Sequence, residues 1–177
     1  MRDMKEISLN MERGYDNSEE KIWNNSPYKW IRDLKSSRKK GKIGELMIKE
    51  FLSDKNYFIS FSPSYENDII INGKDIEIKT STLWKGVCYG FQQIRINQDF
   101  EYMIWFGISP FTEHCWVIPK KEILYRINKQ DIRMQHAGKK GKDTAWIHVS
   151  PDNIPEWLTK WGGTMKDFKK KINILIK

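Results

Sequence analysis

The chain has 177 residues, 39% hydrophobic and 13% aromatic, enough for the core of one domain. Lys and Arg outnumber Asp and Glu by 31 to 23, and the net charge of +8 favours a polyanionic partner. No apolar run approaches the roughly 20 residues that span a bilayer, Met1 to Gly14 lacks the apolar core of a signal peptide, and Cys88 and Cys115 show no C-x-x-C spacing, so the expectation is a cytoplasmic protein with reduced thiols and no membrane partner.

Residues 1–26 are polar and read as a loose arm or a short helix. "SPYKWIRDL" (Ser26–Leu34) predicts a short helix, with Ser26 as N-cap and Pro27 at the first position. "KSSRKKGK" (Lys35–Lys42) reads as a basic, glycine-containing loop, so residues 1–40 form an N-terminal extension and 41–177 the main domain. From Ile43 to about Lys55 the spacing is helical, with Ile43, Leu46, Met47 and Phe51 on one stripe and Ile48 and Leu52 widening it. Tyr57–Ser62 predicts a strand.

"NDIIINGKDIEIKTST" (Asn67–Thr82) then predicts a hairpin. Asn72-Gly73 is the favoured pair for a two-residue type I′ turn. That turn sets Ile71 opposite Lys74, Ile70 opposite Asp75 and, two steps further out, Asp68 opposite Glu77. A helix is expected at "YGFQQIRI" (Tyr89–Ile96), then strands at Tyr102–Ile108 and His114–Pro119, the first apolar enough to be buried on both faces. Lys120–Lys129 predicts a helix, Ala145–Val149 a strand, and Asn153–Thr159 and Met165–Ile176 two closing helices. The order predicts an α/β fold, a mixed central β-sheet flanked by helices.

Opposed side chains in a hairpin lie about 5 Å apart at Cβ, and like charges there repel. Strand alternation puts Ile76 and Ile78 on one face of the second strand and Glu77, Lys79 and Ser81 on the other. The chain has five acid-x-Lys tripeptides, and Glu77-Ile78-Lys79 alone lies in a clear strand with an acid across a hairpin. A divalent cation resolves the repulsion between Asp68 and Glu77. Mg²⁺ takes oxygen ligands and commonly uses one or two carboxylates with phosphate oxygens and waters, and the Ile78 carbonyl is a further candidate ligand. Lys79 is placed to hold or deprotonate a metal-bound water or to neutralise the transition state. The alternative is a surface hairpin in which Glu77 and Lys79 balance each other's charge.

Asp68, then Glu77-Ile78-Lys79, preceded by a helix carrying Glu45, resembles the PD-(D/E)XK nuclease superfamily, in its restriction-endonuclease-like branch. The resemblance implies a core of helix, three-stranded meander, helix and strand, here residues 43 to about 108. It implies Mg²⁺-dependent endonucleolytic hydrolysis of double-stranded DNA, with Mn²⁺ as a substitute. On that mapping Asp68 and Glu77 bind metal, Lys79 is the catalytic lysine, and Glu45 binds a second metal or a water. Glu45 equally suits an i, i+4 ion pair with Lys49. Asn67, not proline, precedes Asp68. Gln92 and Gln93 fall after the lysine, where family members carry a glutamine near metal or DNA; a core or surface position suits them as well. Ser81, on the Glu77 face, is expected beside the DNA.

Basic clusters add candidate DNA contacts. Lys39, Lys40 and Lys42 lead into the Glu45 helix. "QHAGKKGKDT" (Gln135–Thr144) places Gln135, His136, Lys139 and Lys140 in one loop, and Gln and Lys can read purine edges. A solvated loop is the alternative. No P-loop spacing occurs, so ATP dependence has no support. The reading is a site-specific endonuclease of the type II restriction kind. Its rivals are a Holliday-junction resolvase or repair nuclease, and a non-catalytic DNA-binding module. Cutting both strands calls for two active sites, which is compatible with a homodimer.

Overall fold

The computed structural model describes residues 4–5, 18–53, 57–62, 68–135 and 143–176. Its central sheet runs, in spatial order, β1 (Ile59–Phe61), β2 (Ile69–Ile71), β3 (Lys74–Thr82), β5 (Tyr102–Ile108), β6 (Glu113–Pro119) and β9 (Gly162–Thr164). β3 and β5 are parallel and all other neighbours antiparallel, so the sheet is mixed. A second sheet holds β4 (Tyr89–Arg95), β8 (Thr144–Val149) and β7 (Arg133–Gln135), in that order. The helices are α1 (Ser18–Ile22), α2 (Lys29–Arg32), α3 (Ser37–Ser53), α4 (Lys120–Asn128), α5 (Glu156–Thr159) and α6 (Met165–Leu175). No helix among the described residues is long and apolar enough to cross a membrane. The expected fold class, a mixed α/β arrangement with helices flanking a mixed central sheet, is the one observed.

The β2–β3 hairpin has the expected register: Ile71 pairs with Lys74, Ile70 with Asp75 and Ile69 with Ile76. Asn72 and Gly73 both take positive φ, 50° and 79°, as a type I′ turn requires. Asn72 also reaches away from the turn, its Oδ1 accepting the Phe58 N–H at 2.8 Å. β5 is buried along nearly its whole length, with Met103, Ile104 and Trp105 fully inaccessible. Each such side chain contributes about 1.5–3 kcal/mol through burial.

The two faces of the sheet are covered differently. Thr80 of β3 lies against Gly44 of α3: a Cβ on Gly44 would sit 1.9 Å from Thr80 Oγ1. Glycine here lets the helix lie flush on the strand. Phe51 of α3 and Phe168 of α6 are 6.2 Å apart between ring centroids, so the two helices share that face. On the opposite face Phe91 of β4 stacks on Trp105 of β5 at 5.1 Å, and Tyr89 packs on the bare backbone of Gly107. Trp105 is the register partner of Lys79. The second sheet therefore sits over the face that carries Glu77, Lys79 and Ser81.

Three expectations are corrected. Tyr89–Ile96 is not a helix but β4: Tyr89, Phe91 and Ile94 point inward and the residues between them outward. The odd spacing from Phe91 to Ile94 looks helical but comes from a bulge, where Gln92 and Gln93 together oppose Trp146 and Gln93 takes φ 52°. The link between parallel strands β3 and β5 is thus made through the second sheet rather than through a crossover helix. Second, Lys35–Lys42 is mostly not a loop. α3 begins at Ser37, with the Ser36 Oγ accepting the Lys39 N–H at 3.3 Å as an N-cap does. Lys and Arg are good helix formers, so the basic run continues the helix. Third, Leu46 is exposed, and the buried stripe of α3 is centred on Ile48 and Leu52, expected at its margin, together with Gly44. β7 and β9, each three residues long, have no signal in the sequence pattern.

Candidate active site

β2 begins at Ile69, so the edge of β3 beyond Ile76 is open to the residues that lead into the hairpin. Asp68 fills that place. Its N–H donates to the Ile76 carbonyl at 3.0 Å, and its carboxylate Oδ2 accepts the Ile78 N–H at 2.7 Å. The carboxylate thus takes a ladder position that a strand carbonyl would otherwise occupy. In a strand the N–H and C=O of one residue point to the same side, so the Ile78 carbonyl faces the Asp68 side as well.

Glu77 is only 5% exposed, and its Oε1 accepts from Lys79 Nζ at 2.6 Å. Asp68 resists ionisation here. Burial raises its pKa to about 7, with the Glu77 charge adding to the rise, the Ile78 N–H opposing it, Glu45 raising it further and Lys79 lowering it. The flush packing of Gly44 on Thr80 brings Glu45 to the same place. Its Oε2 accepts from Lys42 Nζ at 2.6 Å, so the partner is Lys42, three residues before it, and not Lys49. Lys49 lies over the Phe61 ring instead, 3.6 Å from its centroid.

These groups meet in one open cleft of about 340 Å³, lined by Glu45, Asp68, Glu77, Ile78 and Lys79 together with Arg38, Gln92 and Gln93. The three acids come from a helix, a hairpin end and a strand, and the two glutamines from the β4 bulge above them. Among the described residues no group of three or more His, Cys, Asp or Glu forms a metal cluster. The cleft offers instead two carboxylates against one another, a carbonyl, and Glu45 within electrostatic reach. All of these donors are oxygens, which suits a hard divalent cation.

The other candidate residues divide. Lys40 lines a neighbouring hollow of about 450 Å³ with Arg32, Ser81, Gln92 and His148, so Gln92 borders both spaces. Burial and the Arg32 charge lower the Lys40 pKa. Lys39 is exposed on α3. The Ser81 Oγ accepts the Gly90 N–H at 2.9 Å, tying β4 to β3. Gln135 lies in a strand rather than a loop, closing β7, and does not line the cleft. His136, Lys139 and Lys140 lie outside the described residues. Arg38, a member of the basic run leading into the Glu45 helix, lies at the cleft, and His148, which reads from the sequence as a structural strand residue, lies at the hollow. The helical extension of the basic run and the outward phase of β8 place them, and neither shows in composition.

The chain matches no protein-family model and no curated protein sequence. A bacterial homing endonuclease, I-Ssp6803I, is similar in structure with a TM-score of 0.45 at 16% identity, over 72% of this chain and 87% of that one.

Proposed function

We propose that this protein is a metal-dependent endonuclease that hydrolyses phosphodiester bonds in double-stranded DNA at specific sites, on the PD-(D/E)XK pattern. The observation that carries the reading is the hairpin register, which sets Asp68 against Glu77 with Lys79 on the same face as Glu77. Asp68, Glu77 and the Ile78 carbonyl would hold the cation, with Glu45 holding a water or a second ion. Mg²⁺, or Mn²⁺ in its stead, supplies a Lewis acid toward the phosphate and lowers the pKa of a bound water.

The remaining work falls to side chains of the chain itself. Lys79 stands at the cleft as an ammonium, suited to hold the attacking water or to neutralise charge gathering on the phosphate. Asp68 is fixed by the Ile78 amide, so its carboxylate needs no reorientation. Arg38, Lys39 and Lys42, on the first turns of α3, line or flank the cleft where a phosphate backbone would pass.

The test is cleavage of supercoiled plasmid with Mg²⁺, with Mn²⁺ and with chelator, for wild type and Glu77→Gln, with fragment ends mapped. Metal-dependent cutting at defined positions, lost in Glu77→Gln, is expected. Cutting confined to a synthetic four-way junction would reassign the chain as a resolvase. Duplex binding without cutting in either metal would make it a DNA-binding module.

A further inference from the structure

From its outer face, we infer that the three-stranded β4–β8–β7 sheet is a recognition element that lies in the major groove of duplex DNA beside the cleft. This inference rests on the reading of the cleft as a DNA-cleaving site. The inner face of the sheet is spent on the core through Phe91, Ile94, Ala145 and Ile147, all buried. On the outer face Gln92, Gln93, Arg95, Arg133 and His148 are exposed, while Thr144 is buried.

Its chemistry fits one kind of partner. Antiparallel partners share a face, so the register puts Arg95 beside Thr144, Gly90 beside His148, and Arg133 beside Trp146. Gln135 follows as the partner of Thr144, and Gln92 and Gln93 stand out on the bulge. Arginines and glutamines therefore supply the outward polar positions of β4 and β7, with His148 on β8 between them, and no carboxylate lies on any of the three strands. Arg and Gln are the side chains that read base edges in the major groove, Arg on guanine O6 and N7 and Gln on adenine N6 and N7. A polyanion meets two cations on these strands, and the carboxylates that border the face each have a cation of their own: Asp131, beside Arg133 and His148, pairs with Arg126 at 3.1 Å, and Glu19, beside Gln92 and His148, lies 3.6 Å from Arg32.

Shape and rigidity agree. Three strands at about 4.8 Å spacing span roughly 10 Å between the outer two, against a major groove about 12 Å wide. Trp146 is held between Arg133, 5.5 Å from its ring, and His148, at 4.9 Å between centroids. Trp84 continues the row at 6.0 Å from His148, with Lys85 over it at 4.7 Å. Such a row orders the guanidinium before DNA arrives, and ordering side chains beforehand lowers the entropy cost of binding. Gln92 joins the face to the cleft, so a duplex read by the sheet has its backbone beside Asp68 and Glu77.

The experiment is selection of a randomised linear duplex pool by the wild-type protein in chelator, followed by guanine-N7 methylation interference on the selected duplex. Arg133→Ala, Arg133→Lys and Gln135→Ala are compared with wild type, with thermal melting as the folding control. The expected result is that N7 methylation at one guanine blocks wild-type binding. Arg133→Ala and Arg133→Lys should lose discrimination at that base pair by roughly 5- to 150-fold, the range for one bidentate contact. Arg133→Lys keeps the charge and should keep the salt dependence, since loss of the planar fork alone relaxes specificity. A folded Arg133→Lys or Gln135→Ala set with wild-type sequence preference would overturn the inference, as would single-stranded DNA competing as well as duplex. If plasmid cleavage persists alongside either result, the groove-reading sheet fails and the nuclease reading stands. If the plasmid is neither bound nor cut, both fail.

Discussion

Asp68 accepts the Ile78 amide hydrogen at 2.7 Å, one residue beyond Glu77, which it faces when the hairpin register is extended. That bond holds the carboxylate beside a second buried acid. Burial and that neighbouring charge explain why Asp68 keeps its proton to about pH 7 where an ordinary aspartate loses it near 3.8. Asparagine retains an oxygen that can accept the same amide.

The first prediction concerns that proton. The folded state holds it up to about pH 7, while the unfolded chain releases it near 3.8. Between these values the folded state binds more protons, so stability of the metal-free protein falls as pH rises from about 4 to about 7 and then levels off. Asp68→Asn has no proton to lose there. Thermal melting in chelator should show a flatter profile across that window and equal or higher stability at pH 8, with cleavage abolished. Added Mg²⁺ should raise the melting temperature of wild type and leave Asp68→Asn nearly unmoved. A variant that melts well below wild type in chelator and still cuts DNA would remove the site.

The second prediction concerns Gly44. A Cβ would lie 1.9 Å from Thr80 Oγ1 and 2.7 Å from Thr80 Cβ. Gly44→Ala gains about 1 kcal/mol of helix propensity but must lift α3 from β3, and overpacking of this kind costs about 1–3 kcal/mol. A net loss of stability is expected, together with slower cleavage, since Glu45 moves with the helix. Thr80→Ala alone should be mild, because the Thr80 hydroxyl is buried without a hydrogen bond among the described residues. In the double variant stability should recover in part, as the Thr80 Cβ remains in the way. Chemical denaturation of the four proteins closes the cycle, and simple additivity would mean that the helix does not rest on this contact.

Much of this site is legible in the sequence because its determinants are local. Asn72-Gly73 permits few turn geometries, and a two-residue turn sets the register of every residue that follows. That alone brings Asp68 to Glu77 and phases Lys79 with it. The glutamines show where local reasoning stops. Tyr89, Phe91 and Ile94 carry an apolar spacing that suits a helix, and only Trp105 and Gly107 on a strand formed later in the chain make them a bulged strand. Glu45 is similar. Its spacing suits a partner one turn ahead, but Lys42 is available because the basic run is itself helical. β7 is too short to announce itself, and it becomes a strand by pairing with β8.

The third prediction concerns the turn. Gly73 takes φ 79°, and no atom lies within 4 Å of the place a Cβ would take, so only backbone strain opposes a side chain there. Gly73→Ala should cost about 1 kcal/mol, while Gly73→Asn, which tolerates positive φ, should cost less. Cleavage by the folded protein should be unchanged in both, since the register survives. A large loss of activity at full folding would show that the hairpin slips.

The last prediction concerns Lys79. Its ammonium stands 2.6 Å from Glu77 Oε1, with Glu77 7% and Lys79 21% exposed in their side chains. A protonated amine has no lone pair for a metal, so Lys79 competes with a cation for Glu77 instead of helping to bind it. Lys79→Ala leaves a buried carboxylate without its counter-charge, and the metal-free protein should lose stability. Divalent-ion binding should persist and tighten, and Mg²⁺ should restore more stability to the variant than it adds to wild type. Single-turnover cleavage should nevertheless fall by at least about 10²-fold, the scale of losing a positioned electrostatic or acid–base group. Lys79→Arg keeps the charge and should recover the metal-free stability, but not full cleavage, because a guanidinium is bulkier and does not exchange a proton with water near neutral pH. Calorimetric titration of Mg²⁺ and single-turnover kinetics on the same three proteins separate these effects. Wild-type cleavage by Lys79→Ala would leave Glu77-Ile78-Lys79 as a strand with balanced charges, and the pairing of Asp68 with Glu77 would then need another explanation.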